Sequence, residues 1–340
     1  MAKPQQNSAA QARVAQSLQQ AVALHQQGRL FEAEALYDAV LKAAPRNFNA
    51  LHLLGVLRHQ QGRSVEALEL IAAALRAQSG SVEALSNYGV VLDSLGRHAE
   101  AVASYDRVLK LKPDQIKTLC TRAEALLKLA RPEEALASCR RALAFAPDHV
   151  DALTLSGNAL LALGRAEEAL ASYDRVLALQ PHHVDALNNR GSALELIQRH
   201  DDALASFDAA LALAPRHGGA LNNRGHVLLT LGRLDEAIAS VDAALAVDPD
   251  YVEALLNRGG ILDALERFDE AEASYDRALS FRPDLVDAKL NKALICLARG
   301  RFAEGWPLYE QRWLKGAPRR NTTAPEWDGE RLNGRLLVSG

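Results

Sequence analysis

The chain has 340 residues, 49% of them hydrophobic, and a formal charge of −3. Such a composition supports a large apolar core, and a charge this close to zero gives no electrostatic ground for a nucleic-acid partner. No run approaches the roughly 18 apolar residues of a membrane span, and the N-terminal MAKPQQNSAAQAR lacks the apolar stretch of a signal peptide. No membrane partner is expected, and the expected location is cytoplasmic.

Taken in order, residues 1–8 are polar, contain Pro4 and read as disordered, within a polar N-terminal segment over 1–13. Prolines then set a register. Pro45, Pro113, Pro147, Pro181, Pro215, Pro249 and Pro283 lie 34 residues apart or twice that, with Ser79 in the one gap. Nine frames follow without an insertion, starting at Val14, Phe48, Val82, Ile116, Val150, Val184, Gly218, Val252 and Val286. The pattern is clearest from Ala220 to Pro249, ALNNRGHVLLTLGRLDEAIASVDAALAVDP. Apolar residues recur there at helical spacing, predicting a helix from Ala220 to about Leu231, a turn at Gly232 and Arg233, and a second helix from Leu234 to Val247 that Pro249 stops. Neither helix buries its apolar stripe alone, whereas hairpins stacked on copies of themselves do.

Several columns have physical reasons. The eighth position is glycine at Gly55, Gly89, Gly157, Gly191, Gly225 and Gly259. Glycine inside a helix costs about 1 kcal/mol relative to alanine, so its recurrence predicts close approach of another helix. The alanine column at position twenty, Ala33 to Ala271 with Gly305 last, is expected to face it. Gly28, Gly62, Gly96, Gly164, Gly232 and Gly300 at position fifteen suit a left-handed helix end. Arginine at position sixteen, from Arg29 to Arg301, is followed three residues on by an acid, which reads as a surface ion pair in the second helix's first turn. Cys120, Cys139 and Cys296 lack metal spacing and are expected to be reduced thiols, although Cys120 and Cys139 share one repeat.

A 34-residue helix–turn–helix with Gly at eight, Ala at twenty, Tyr or Phe at twenty-four (Tyr37, Tyr105, Tyr173, Phe207, Tyr275) and Pro at thirty-two resembles the tetratricopeptide repeat. The resemblance covers eight repeats over 14–285. It implies an all-α, right-handed superhelix (an α-solenoid) of about nine helix-turn-helix repeats, with an irregular C-terminal tail. First helices would line its concave face, with positions 2, 5, 6, 9, 12 and 13 pointing inward. The glutamine-rich first helix of repeat 1 reads as a terminal cap, and repeat 4 has Ala123 and Ala130 in the two glycine places. Residues 286–314 read as a modified ninth, capping repeat whose second helix Pro307 starts late or kinks. The tail over 315–340 reads as a linker and the start of a further domain, with a short strand at Arg335–Val338. GRFAEGWPLYEQRW followed by PEWDGERLNGRLLVSG resembles the junction in bacterial repeat proteins that continue into a glycosyltransferase-like domain. That resemblance implies nothing catalytic for the residues present.

Asparagine recurs at position six, at Asn87, Asn189, Asn223, Asn257 and Asn291, and at position five, at Asn188 and Asn222. It is a poor mid-helix residue, and an amide holds a donor and an acceptor that together grip a peptide backbone without reading its side chains. The column resembles the asparagine ladder in the repeat arm of O-linked N-acetylglucosamine transferases, which implies a peptide-binding role for all seven. The structural reading is amides bonded to adjacent helices or water. Leu53, Thr121 and Leu155 interrupt the column.

The acids at position two, Glu83, Asp151, Asp185, Glu253 and Asp287, either favour basic ligands or serve helix N-termini, with Asp148, Asp250 and Asp284 three residues before three of them as caps. His52 and His59 share one helix face, but without a third ligand solvated histidines are expected rather than a metal site. No Ser-His-Asp set, phosphate loop or paired carboxylates stand out, so no enzyme, catalytic residue, cofactor or metal is expected. The chain reads as a scaffold for protein–protein interaction whose concave groove binds an extended peptide or protein segment. The alternatives are a substrate-recruiting arm of a larger glycosyltransferase, and a module that self-assembles into a homo-oligomer through its terminal repeats.

Overall fold

A computed structural model describes residues 3–315 of the chain, with side chains over 11–312. The described residues form eighteen α-helices in consecutive hairpins and, among them, no strand. They group into two compact units that meet between Ile197 and Gln198, in the turn of the sixth repeat.

The first unit runs α1 (Lys3–Gln26), α2 (Leu30–Ala43), α3 (Phe48–Gln60), α4 (Ser64–Ala77), α5 (Val82–Ser94), α6 (His98–Leu111), α7 (Ile116–Lys128), α8 (Pro132–Phe145), α9 (Val150–Ala162), α10 (Ala166–Leu179) and α11 (Val184–Leu196). The second runs α12 (His200–Leu213), α13 (Gly218–Thr230), α14 (Leu234–Val247), α15 (Val252–Ala264), α16 (Phe268–Phe281), α17 (Val286–Ala298) and α18 (Phe302–Tyr309), and ends in a 3-10 helix, Glu310–Lys315. From α3 onward every first helix begins on the first residue of its frame, and every second helix begins on the seventeenth.

The turn inside each hairpin explains the position-fifteen column. At the end of α5, Gly96 N donates to Asp93 O (3.0 Å) and Arg97 N to Leu92 O (2.9 Å), which satisfies two terminal carbonyls. The closure needs a left-handed residue, and Gly96 has φ +73°. Ala130, Gln198 and Glu266 hold the same conformation (φ 54°, 61° and 58°) in the repeats without glycine there.

The position-eight glycines sit against position twenty-four rather than against the alanine side chains. A Cβ on Gly89 would lie 2.4 Å from Tyr105 Cε1, one on Gly157 2.5 Å from Tyr173 Cε1, and one on Gly259 2.3 Å from Tyr275 Cε1. Where a smaller side chain replaces the ring, Ala237 O also closes to 3.2 Å of Gly225's added Cβ. The alanine column is itself fully buried from Ala33 to Ala271.

Three expectations need correction. Residues 3–8 belong to α1 rather than to a disordered segment, since Pro4 occupies the first turn, where its missing N–H costs nothing. Pro307 does not delay α18. The helix starts on its period at Phe302, lasts eight residues, and the chain continues as the 3-10 helix. The first helices are not capped by Asp148, Asp250 or Asp284, because the cap is the next residue. Asn47 and Ser81 side-chain oxygens, and Nδ1 of His149, His183 and His217, accept the amide three residues on, while Tyr251 and Leu285 supply no side-chain cap. Asp148 instead accepts Arg175 Nη2 at 2.7 Å. The proposed strand at Arg335–Val338 and nearly all of the 315–340 segment lie outside the described residues.

Candidate functional site

Within the first unit each first helix touches the first helix of the next hairpin, α3 on α5, α5 on α7, α7 on α9 and α9 on α11, while no second helix touches another second helix. The same holds in the second unit for α13, α15 and α17. Helices that meet lie on the inner side of a curve and helices that splay lie on the outer side. In each unit, therefore, the first helices form the inner wall.

In the first unit that wall holds a groove of about 570 Å³ over repeats 4 to 6. Its lining follows the period. Lys117, Asp151 and Asp185 come from position two, Cys120 and Thr154 from position five, Thr121 and Leu155 from position six, and Glu124 from position nine. The capping residues His149 and His183 complete it. Ala152 N donates to His149 Nδ1 (3.3 Å) and Ala186 N to His183 Nδ1 (3.2 Å), so the neutral rings carry their proton on Nε2. Burial, with the Asp151 carboxylate adding to it, pushes the Cys120 thiol up to about 11. Cys139 is pushed up by burial to about 12. Both thiols are buried and free, and they stay protonated and unreactive at neutral pH.

The groove lies where the asparagine column is interrupted. The column residues themselves all sit on first helices, Asn87 on α5, Asn188 and Asn189 on α11, Asn222 and Asn223 on α13, Asn257 on α15 and Asn291 on α17. None is exposed, and Asn222 is buried. Asn87 Nδ2 meets His52 Nε2 at 2.9 Å, and Asn257 Nδ2 donates to Asn222 Oδ1 at 2.8 Å. Asn188 Nδ2 donates to Asn189 Oδ1 at 3.0 Å, and Asn222 Nδ2 to Asn223 Oδ1 at 3.3 Å. Asn189 Nδ2 donates to Asn158 Oδ1 at 3.0 Å. Much of the column is thus engaged between neighbouring helices.

The solvated-histidine expectation fails at His52, which is buried against Asn87, and burial holds its pKa below the usual value. His59 Nδ1 lies 3.0 Å from Ser64 Oγ. Of the position-two acids, Glu83, Asp151, Asp185 and Glu253 are exposed in their helices' first turns, where negative charge suits the dipole. The arginine–acid column forms the expected pairs, as in Arg97 Nε to Glu100 Oε1 at 2.7 Å, with arginine in the N-cap place rather than inside the helix.

The structure adds a second charged column. The basic residue at position seven reaches the aspartate sixteen residues earlier, in the preceding repeat: Arg122 to Asp106, Arg190 to Asp174, Arg224 to Asp208 and Arg258 to Asp242, each at 2.7 Å. Arg122, Arg224 and Arg258 also donate to the serine sixteen residues later. The fixed offset of sixteen was the available signal, and it ties neighbouring repeats rather than marking a ligand site.

Stacked two-helix hairpins with first helices on the inner wall define a helical-repeat protein. The tetratricopeptide repeat family model matches residues 18–82, 66–116, 120–179, 154–217, 222–286 and 264–321, and the chain belongs to that family. Solved structures share the fold. A tetratricopeptide repeat protein from Parabacteroides merdae is 17% identical, covering 73% of this chain and 98% of its own, with a TM-score of 0.61. PilW, a type IV pilus biogenesis factor, is 22% identical over 61% of this chain and 96% of its own, with a TM-score of 0.56. The Cut9–Hcn1 assembly of the APC/C is 15% identical over 82% of this chain and 55% of the other, with a TM-score of 0.61. No curated protein matches the chain. The glycosyltransferase resemblance finds no counterpart in the family match or in these structures. No helix among the described residues is long and apolar enough to cross a membrane.

Proposed function

We propose that the chain is a binding scaffold, and that the groove of repeats 4 to 6 seats an extended peptide or protein segment of a partner. The observation that carries this reading is the groove itself, about 570 Å³ and lined entirely by first-helix and capping positions of three successive repeats. That volume falls within the roughly 300–1,000 Å³ usual for binding pockets. Its lining combines donors and acceptors with the apolar side chain of Leu155. Asn87 and Asn257, which bond His52 and Asn222 through the amide nitrogen, extend the acceptor-bearing wall in their own units.

The experiment is capture of extended decapeptides from a randomised library by the full chain, compared with Glu124→Trp. Glu124 is exposed and lines the groove, so a bulky ring there blocks the seat without disturbing the core. Peptides retained by the wild type and lost by the variant, at equal helicity, support the seat. Equal retention by both excludes it.

A further inference from the structure

The charged column that ties neighbouring repeats lacks its pair between repeats 2 and 3. Where the pair is present, the position-seven arginine spans from the first helix of its repeat to the second helix of the preceding one. Its side chain is then well covered, only 16% exposed at Arg122 and 22% at Arg224. In repeat 3 that position is Tyr88, and the acid's place sixteen residues earlier is Ala72. The crevice remains as a pocket of about 350 Å³, lined by Leu68, Glu69, Ala72 and Arg76 of α4 and by Tyr88 of α5.

We propose that this crevice takes an arginine that carries a free carboxylate, either the free amino acid or the last residue of another chain. The guest guanidinium occupies the space that the protein's own arginine fills between other repeats. The pocket shares no residue with the repeat 4–6 groove, and the proposal does not rest on that groove being a peptide seat.

Three side chains carry the chemistry. Glu69 and Arg76 are exposed, line the pocket, and make no ion pair with each other or with any other of the described residues. They stand seven residues apart on α4, which puts them on one face, two turns or about 10 Å apart along the axis. A molecule lying between them meets an anion at one end and a cation at the other. Tyr88 packs against the core of repeats 2 and 3 and also lines the pocket, so its ring is held in place beside the guest.

The ring selects the kind of cation. A planar, weakly hydrated guanidinium stacks on an aromatic face and meets a carboxylate bidentately, whereas the compact, strongly hydrated ammonium of lysine is a poorer match. Leu68 and Ala72 offer apolar surface to the methylene stem. Arg76 then takes the carboxylate at the other end. A bare cation is repelled by Arg76 and a bare anion by Glu69, so the two charges act against single-charge ligands as well as for the paired one.

The test uses hexapeptides on an alanine–glycine host, labelled at the N-terminus with fluorescein and ending in arginine, in arginine amide or in lysine. Binding to the full chain is followed by fluorescence anisotropy at low salt. The arginine-ended peptide should bind about fivefold tighter than either of the others, the size of one good exposed ion pair. Glu69→Gln and Tyr88→Leu should each weaken it about fivefold, and Arg76→Gln should lower it to the level of the amide while leaving the amide unchanged. Tyr88→Arg with Ala72→Asp restores the internal pair and should remove binding at unchanged helicity. Displacement of the probe by free arginine as readily as by unlabelled peptide assigns the site to the amino acid, and displacement by the peptide alone assigns it to a chain end. Absence of binding, equal binding of the arginine- and lysine-ended peptides, or binding that survives the double variant overturns the proposal. Glu124→Trp should leave all of these values unchanged, so failure here is read separately from failure of the repeat 4–6 seat.

Discussion

The Tyr173 hydroxyl donates to Asn158 Oδ1 at 2.7 Å, and the same oxygen accepts Asn189 Nδ2 at 3.0 Å. The tyrosine ring is fully buried. Its hydroxyl needs a partner, and the amide wall supplies one. Asn189, which shares that oxygen, stands at position six of the next repeat. Asn87 and Asn257 follow Ile71 and Val241 at that spacing and serve no hydroxyl there. The asparagine column therefore divides into residues that complete the stack and residues whose bonds run along the wall.

That division is measurable. Asn158→Leu leaves the Tyr173 hydroxyl buried and unpaired and should cost about 1–3 kcal/mol, with Tyr173→Phe in the same chain restoring most of it. Asn257→Ala loses one amide–amide bond and should cost about 1 kcal/mol while leaving capture at the repeat 4–6 groove unchanged. Paired urea and capture measurements check this. A loss of capture for Asn158→Leu with an unchanged midpoint would invert the assignment.

The two glycine columns predict opposite responses. Gly157→Ala drives a methyl into the Tyr173 ring and should cost about 1–3 kcal/mol. Glu266→Gly should instead stabilise by up to about 1 kcal/mol, because Glu266 already holds φ 58° in a turn that glycine enters without strain. Urea denaturation followed by circular dichroism separates the two. Destabilisation by Glu266→Gly would contradict the turn account.

Much of this architecture was legible in the chain because a period of 34 repeats one local solution nine times. Proline stops, left-handed glycines and the Arg–acid pair each recur where the backbone requires them, so helix starts such as Val82 and His98 followed directly. What failed was local chemistry that residue type alone does not announce. Histidine as an N-cap at His149 and His183 escaped notice because a ring nitrogen seldom takes that place. His52 reads as a surface residue until Asn87, thirty-five residues away, is set beside it. The groove fell where the asparagine pattern breaks, so the column drew attention to its neighbours instead. A site built from unlike residues at one spacing leaves no repeating letter to find.

Repeats 1 and 2 meet through a buried ion cluster. Glu34 pairs with Arg58 and lies 3.3 Å from Arg63 Nη1, and Gln61 Nε2 donates to it at 2.8 Å. The Arg58 and Glu34 side chains are only 11% and 18% exposed. Leucine fills Glu34's place at Leu136, Leu170 and Leu204 in later repeats. Glu34→Ala should cost about 3 kcal/mol by leaving a buried cation, whereas Glu34→Leu with Arg58→Met should be neutral or stabilising. A double variant as unstable as the single one would contradict this.

Alkaline pH should loosen the stack. Burial raises Tyr37 from 10.0 to about 12 and holds Tyr105, Tyr173 and Tyr275 higher still, while Cys120 and Cys139 rise from 9.0 to about 11 and 12. The folded chain keeps protons there that the unfolded chain has lost. Their contribution to stability is complete below about pH 9 and declines as pH rises towards 12. The urea midpoint should hold from pH 7 to 9 and drop by pH 11, with a smaller drop in Tyr173→Phe. A midpoint unchanged at pH 11 would exclude the effect.

The most direct test of the account is peptide capture by the full chain with the repeat 4–6 groove open or blocked. Wild-type protein should retain extended decapeptides, and Glu124→Trp should lose at least about nine-tenths of that binding at unchanged helicity, a shift of roughly 1.4 kcal/mol. Retention that is equal in the two proteins would contradict the claim that this inner wall is the seat.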